Sequence, residues 1–288
     1  MVKSYIKWVG GKKQLSSFLI PRFPKTFSVY HEPFCGSAIL FLLYSDREGD
    51  VFYQKPPRAI LSDTNEHLIN CHQQVAHHVE DVVKLILELD TRYIYEDSET
   101  IYKEIRKEVS LPLNSSDQDE KCKRAAQFIF INKTCFNGLW RVNSKGKFNT
   151  PWNQTTRLSF SDMTLHNCSR LLRNAEIKVG DYQSELLSAE KGDFFFLDPP
   201  YEPVSRTASF TSYTKSGWSE EDTVKLRDAI NVARDRGAKI MMTNSDAPLI
   251  HELFKDYSIE TVQAHRFVKA VSGDEIREKV TETVVKNY

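Results

Sequence analysis

A chain of 288 residues, 40% hydrophobic and 11% aromatic, can bury a full core as one large domain with an insertion or as two domains of ordinary size. Its 39 basic residues balance 39 acids, an average that argues against a nucleic-acid binder, and its best apolar run, Ala38 to Tyr44, is far below the roughly 20 residues of a membrane helix. The average conceals a sorting of charge by position. Lys3, Lys7, Lys12, Lys13, Arg22 and Lys25 occur before His31 without a single acid, and Lys121, Lys123, Arg124, Lys133, Arg141, Lys145, Lys147 and Arg157 occupy the stretch to Ser161, again without one. Two such surfaces facing one groove would fit a polyanion; the alternative is a pair of solvated basic faces. The start, Met1-Val2-Lys3-Ser4, lacks a secretory pattern and predicts a cytoplasmic protein. Cys35, Cys71, Cys122, Cys135 and Cys168 are odd in number and contain no Cys-x-x-Cys pair, so they read as reduced thiols, with no disulfide frame and no metal site.

In chain order, short β-rich apolar runs predict strands at 29–34, 58–63, 176–179, 193–198, 238–244, 259–264 and 279–286. Helical stretches alternate with them at both ends of the chain, as in an α/β fold built on an open, mostly parallel, doubly wound sheet of seven strands. Between about 70 and 166 the pattern changes to helix after helix. This predicts a helical insertion at 70–166 within a sheet-bearing domain made of 1–69 and 167–288. Inside the insertion, the run from Leu111 to Asp117 reads as a loop and Asn143-Ser144-Lys145-Gly146-Lys147 as a tight turn between two short strands. A helix at 220–236 is marked by Ser219 as N-cap, Asp222 at its third position and Gly237 just past its end.

Five segments carry chemistry. Lys7-Trp8-Val9-Gly10-Gly11-Lys12 sets an aromatic ring, two glycines and a cation before a helix, which suits an anionic ligand approached closely by backbone; a plain turn with a core tryptophan is the other reading. Glu32-Pro33-Phe34-Cys35-Gly36-Ser37-Ala38 leaves the first strand and enters a helix, where doubly wound folds hold a cofactor. Asp63 and Asp181 end the next two strand regions. An acid there accepts hydrogen bonds from ribose hydroxyls or a base amine, or else caps a helix. The fifth segment follows Phe194-Phe195-Phe196-Leu197: Asp198-Pro199-Pro200-Tyr201 ends a buried strand with a carboxylate, a rigid turn and a ring. Proline fixes its own φ and extends the residue before it, so the turn aims its carbonyls in a defined direction. One acid, one carbonyl and one ring make a socket for a flat amine-bearing ring, as against a surface turn with a capping Asp.

Taken together these segments resemble the DNA adenine methyltransferase (Dam) family, α-group, over essentially the whole chain. Lys7 to Lys12 looks like its N-terminal cofactor motif, Glu32 to Gly36 its first strand-loop motif, and Asp63 and Asp181 its second and third acids. Asn137-Gly138-Leu139-Trp140-Arg141 through Pro151 is similar to the family's DNA-reading hairpin, here at about 137–152. Asp198 to Tyr201 is its catalytic motif, and Phe210-Thr211-Ser212-Tyr213 a following loop. The resemblance implies a class I methyltransferase fold and S-adenosylmethionine as donor, with S-adenosylhomocysteine as product and no metal. It assigns cofactor contacts to Trp8, Lys12, Phe34, Gly36, Asp63, Asp181 and Asp198, with Lys12 towards the donor's carboxylate end. Catalysis falls to Asp198, Pro199, Pro200 and Tyr201, acting on an adenine flipped out of duplex DNA.

For the DNA, the resemblance implies that Lys7 reaches a guanine before the target and that Asn137 fills the space of the flipped base. Arg141 is suited to a guanine edge and Leu139 to a thymine methyl. Lys133, Lys145 and Lys147 would grip phosphates. GATC is the expected site, acted on by a monomer without an obligate protein partner; a different GAT-containing site is the alternative. One departure stands out: the family's usual F-x-G-x-G has Ala38 in place of its second glycine. Alanine enters a helix readily, so cofactor binding is expected to survive. Rivals are a cytosine-N4 methyltransferase, which usually has Ser or Asn in place of Asp198, and a cofactor-binding DNA reader without catalysis.

Overall fold

The structure is a computed structural model describing residues 2–47, 58–156, 158, 160–202, 218–269 and 275–288, with backbone alone for 265–269 and 275–278. Arg157 and the expected loop Phe210 to Tyr213 lie outside the described residues. All seven predicted strands are present: β1 (Tyr30–Glu32), β2 (Ala59–Asp63), β3 (Ala175–Val179), β4 (Phe194–Leu197), β5 (Lys239–Ser245), β6 (Ser258–Lys269) and β7 (Glu275–Lys286). They form one sheet in the order β3-β2-β1-β4-β5-β7-β6. β1 pairs in parallel with β2 and β4, and β4 with β5, while β7 runs antiparallel to both β5 and β6. This is the doubly wound, Rossmann-like arrangement expected. The order reverses between β1 and β4, and such switch points place ligands beyond the carboxyl ends of the strands. Those two ends lead into Phe34 and Asp198.

The helices are α1 (Ser16–Leu19), α2 (Ile39–Ser45), α3 (Glu66–His77), α4 (Val79–Tyr95), α5 (Ser98–Glu108), α6 (Gln118–Thr134), α7 (Asp162–Leu172), α8 (Tyr182–Leu187), α9 (Glu220–Asp235) and α10 (Pro248–Leu253). At α9 the Ser219 side chain accepts from the Asp222 N–H and Asp222 returns the bond to the Ser219 N–H, a capping box; Gly237 follows with φ 91°. β4 is apolar on both faces because it lies in the middle of the sheet. Phe194, Phe195, Phe196 and Leu197 are all at most 1% exposed.

The chain forms two compact units. One comprises Met1–Gly11, Gly36–Tyr53 and Asp63–Val179; the other comprises Lys12–Cys35, Gln54–Ser62 and Gly180–Tyr288. Helices α3 to α7 belong to the first, and the run α4 to α6 corresponds to the helix-rich stretch of the sequence. In the second, Phe195, Leu197, Leu226, Ile230, Ile240 and Met242 share one core cluster. Among the described residues no helix is long and apolar enough to cross a membrane, and all five cysteines are buried free thiols.

Candidate active site

Asp198 stands at the first position after β4, and both its carboxylate oxygens are engaged. Oδ1 accepts from the Thr243 hydroxyl at 2.8 Å, and Oδ2 pairs with the Lys12 ammonium at 2.7 Å. The Lys12 and Asp198 side chains are 6% and 17% exposed, so the pair is strongly shielded from water. Such a pair is costly to break from one side, because the surviving partner is left charged and desolvated. The same ammonium lies 4.8 Å from the centroid of the Tyr201 ring, a cation–π distance. Sequence reasoning aims Lys12 at a cofactor carboxylate; the structure places it on the catalytic-motif carboxylate and the motif's ring.

The turn after Asp198 is fastened to the end of β5 by three successive residues. Thr243 holds Asp198, Asn244 Oδ1 accepts from the Glu202 N–H at 2.9 Å, and the Ser245 hydroxyl donates to the Glu202 carbonyl at 2.5 Å. The Glu202 carboxylate in turn accepts from Thr223 Oγ1 on α9 at 2.9 Å. Tyr201 donates its hydroxyl to Glu282 Oε2 at 2.6 Å, from β7. Burial, with the Asp198 and Glu282 carboxylates beside it, pushes that hydroxyl well above its usual pKa, so it stays a donor. Pro199 is buried and Pro200 exposed. Phe34 stacks on Tyr182 at 5.2 Å between centroids and meets Trp218 edge-on at 6.0 Å.

Asp181 caps α8, its Oδ1 accepting from the Gln183 and Ser184 N–H groups and its Oδ2 from the Ser184 hydroxyl. These bonds hold the carboxyl below its ordinary pKa. Of the two sequence readings of this acid, capping is the one its contacts satisfy.

In the other unit Asp63 divides its oxygens between the Asn65 N–H at 3.0 Å and the Gly36 N–H at 3.3 Å. Capping of α3 is done by Asn65, whose side chain accepts from His67 and Leu68. Asp63 is therefore not the cap. Burial pushes its carboxyl up, against the opposing pull of its main-chain N–H donors. The Gly36 loop is pinned from behind by His72 on α3. Its Nε2–H donates to the Gly36 carbonyl at 2.7 Å while Nδ1 accepts from the Tyr5 hydroxyl. Full burial pushes this histidine down to about 4, so it is neutral.

Gly36 has φ 47°, and a Cβ there would sit 2.6 Å from Trp8 Cδ1. The glycine is required by both backbone and ring, and Trp8 itself leans on Phe128 with centroids 6.3 Å apart. As expected, α2 begins at Ile39; Ala38 stands at its N-cap in the left-handed region, φ 51° and ψ 22°, where a methyl group is unfavourable and helix propensity gives no help.

The hairpin is short. Val142 and Phe148 form an isolated bridge, Asn143 N–H donates to the Lys147 carbonyl at 2.9 Å, and Gly146 with φ 73° makes the turn. Its root is anchored by the buried Phe148 and the half-buried Trp140, which packs on Phe128 and Phe148 at 4.7 and 5.0 Å. Its tip, with Arg141, Lys145 and Lys147, is exposed. The two short strands expected here are reduced to this isolated bridge, and Arg141 Nε donates to Asn149 Oδ1 at 2.7 Å across it. Asn137 is exposed at φ 56°, and Leu139 is half-buried. Lys133 is half-buried beside Lys7; burial first, then the Lys7 charge, push it down to about 8.

Sequence reasoning missed Thr243, Asn244, Ser245, Glu282, His72 and Asn132. A signal existed for the first three: the buried strand Lys239–Ser245 ends in three polar residues, which a central strand carries only if they have partners. His78, Asp81 and Cys122 bring ligating atoms within 4.8 Å of one another. Burial raises the Cys122 thiol, which favours its protonated form. An open cleft of about 310 Å³ lined by Gln73, Gln74, His77, His78, Gln118, Lys121 and Ile177 adjoins this group through His78 and contains no residue of the motifs above.

A switch-point carboxylate followed by Pro-Pro-Tyr, on a sheet of this order, defines a class of methyl-transferring enzyme. Residues 8–268 match the model of the D12 class N6 adenine-specific DNA methyltransferases, and the chain belongs to that family. The type II methyltransferase M1.LlaDCHI of Lactococcus lactis subsp. cremoris is 36% identical, covering 100% of this chain and 96% of its own. The type II methyltransferase M.MjaIII of Methanocaldococcus jannaschii is also 36% identical, covering 100% and 99%. A DNA adenine methylase of Vibrio cholerae is 29% identical, covering 92% and 90%. The chain is an adenine-specific DNA methyltransferase.

Proposed function

We propose that the protein methylates the exocyclic amine of an adenine flipped out of a short duplex site, GATC being the favoured sequence. The single observation that carries this reading is the engaged Asp198 carboxylate, held on one side by Thr243 and on the other by Lys12. An amine lone pair delocalised into a purine ring is a poor nucleophile. Hydrogen bonds from both amine hydrogens, to the Asp198 carboxylate and the Pro199 carbonyl, favour a tetrahedral nitrogen whose lone pair is free. Positive charge then develops on that nitrogen, so a fixed carboxylate is worth more in the transition state than before it. Tyr201 gives the base a stacking face, and Glu282 holds the ring in place by its hydroxyl. Asp198 needs to be an oriented acceptor more than a strong base.

Because Lys12 stands on Oδ2, the incoming amine takes that oxygen as the ammonium swings aside or shares it. S-adenosylmethionine, when bound, supplies an activated methyl group. The donor set suits it: a desolvated carboxylate at Asp63, a glycine at position 36 that leaves no room for a side chain beside Trp8, and aromatic Phe34. The residues assigned to it are Trp8, Lys12, Phe34, Gly36, Asp63, Asp181 and Asp198. The segment 70–166 serves as the target-recognition module and 1–69 with 167–288 as the catalytic domain. Lys7, Asn137, Leu139 and Arg141 read or replace bases, while Lys133, Lys145 and Lys147 hold phosphates of double-stranded DNA. The working unit is a monomer in the cytoplasm, and no metal takes part.

Incubation with methyl-labelled donor and duplexes differing only in a GATC site tests this. Label in adenine of the GATC duplex alone is the expected result. Label in another GAT-containing site moves the specificity, and binding without label makes the chain a reader.

A further inference from the structure

Asn132 lies in α6 directly after the apolar run Phe128-Ile129-Phe130-Ile131 and is 3% exposed. A buried amide among such neighbours must be satisfied or it costs stability. It is satisfied by two segments, one 125 positions away and the other only six residues further along. Oδ1 accepts from the Lys7 N–H at 2.7 Å, and Nδ2 donates to the Lys7 carbonyl at 2.7 Å and to the Gly138 carbonyl at 3.1 Å. One side chain thus grips both main-chain groups of Lys7 and the root of the hairpin. The grip is tight, since Gly138 has φ 68° and a Cβ there would stand 2.6 Å from Lys7 Cβ. Lys133, the next residue along, faces the Lys7 charge.

We infer that Asn132 is a positioning residue for sequence discrimination, locking Lys7 and the hairpin into one reading head so that their base contacts are made in fixed register. This rests on the reading of Lys7 and the hairpin as DNA-contacting. Without the clip each would still touch DNA, but a wrong base met by one would no longer be felt through the other. Phosphate affinity would persist while specificity fell.

The test is competition binding of a short duplex carrying the mapped methylation site against duplexes with single-base changes, for Asn132→Asp, Gly138→Ala and Lys7→Ala. Asn132→Asp is nearly isosteric and turns both donor bonds into repulsions. Gly138→Ala pushes Lys7 away without touching the amide. Both are expected to lower the cognate-to-noncognate ratio about ten-fold, with cofactor affinity changed less than two-fold, a split that general misfolding does not produce. If Lys7→Ala relaxes the ratio and neither of the other two does, the clip has no role in reading. A parallel loss of cofactor binding in both likewise overturns the inference, by making Asn132 a folding residue only. If Lys7→Ala leaves the ratio intact, the DNA-reading assignment of Lys7 fails, and the inference with it.

Discussion

In the unit that carries Asp198, the functional residues are held through bonds with a carboxylate at one end: Lys12 and Thr243 on Asp198, Glu282 on Tyr201, Thr223 on Glu202. In the unit that carries Lys7 and the hairpin, neutral groups hold main chain: Asn132 on Lys7 and Gly138, His72 on Gly36, with the hairpin tip left exposed. On the proposed function, the first arrangement fixes one carboxylate and one ring where charge develops, and the second fixes only the roots of segments whose tips meet a large and variable surface. Preorganised charge is worth most where reorganisation would be paid during the reaction itself, whereas reading a groove needs correct register with some freedom at the tip.

The largest expected effect breaks the charged side. Asp198→Ala abolishes methylation, by a factor of about a thousand or more, while cofactor affinity stays measurable by titration. It also strands the Lys12 ammonium, so stability falls by about 3–5 kcal/mol. The double variant with Lys12→Met should regain stability in urea melts and regain no activity. An active Asp198→Ala enzyme would falsify the mechanism.

The next probes the neutral side. His72 binds its proton at about 4 in the folded protein and near 6.5 when unfolded, so between those values the unfolded chain holds more protons. Stability is therefore whole above about 6.5, falls as the pH drops through that window, and has lost roughly 3 kcal/mol below 4. Urea melts against pH measure the slope, and His72→Gln should flatten it. An unchanged slope in that variant means another group is responsible.

Thr243→Val keeps the shape of a fully buried side chain and removes the hydroxyl from Asp198. A hydrogen bond to a charged group is worth about 1.5–3 kcal/mol, so kcat should fall roughly 10- to 100-fold with cofactor Kd little changed. Thr243→Ser should restore most of it. If Val and Ser behave alike, the hydroxyl does not position the carboxylate. Smallest of all is Ala38→Gly. Relief of left-handed strain, about 1–2 kcal/mol, is offset by the loss of one buried methyl, about 0.8 kcal/mol, and by added chain entropy, about 0.5–1 kcal/mol. The net is near zero in a thermal melt, and a large change either way would mean that the loop rearranges.

Much of this was legible before the fold. The apolar run Phe194 to Leu197 closed by Asp-Pro-Pro-Tyr placed both a central strand and its functional end, because a strand interior and a proline turn have opposite requirements. β6 and β7 were read short at one end each. Their outer halves, such as Glu275-Ile276-Arg277-Glu278, mix charge into the alternation, so the periodic signal fades although the backbone pairing continues. The backbone conformation of Ala38 was not legible, because helical propensity is a property of the residue, while its left-handed φ comes from the bend it must complete.

The sequence by itself determined the order of strands and helices and the family, and singled out the carboxylate on which the proposed function rests, since these depend on local periodicity and on short contiguous motifs. Only the tertiary structure decided who partners whom. Lys12 meets Asp198 across 186 positions of sequence and Asn132 meets Lys7 across 125. Such contacts leave no local pattern, because a buried polar group requires a partner and is indifferent to how far along the chain that partner lies.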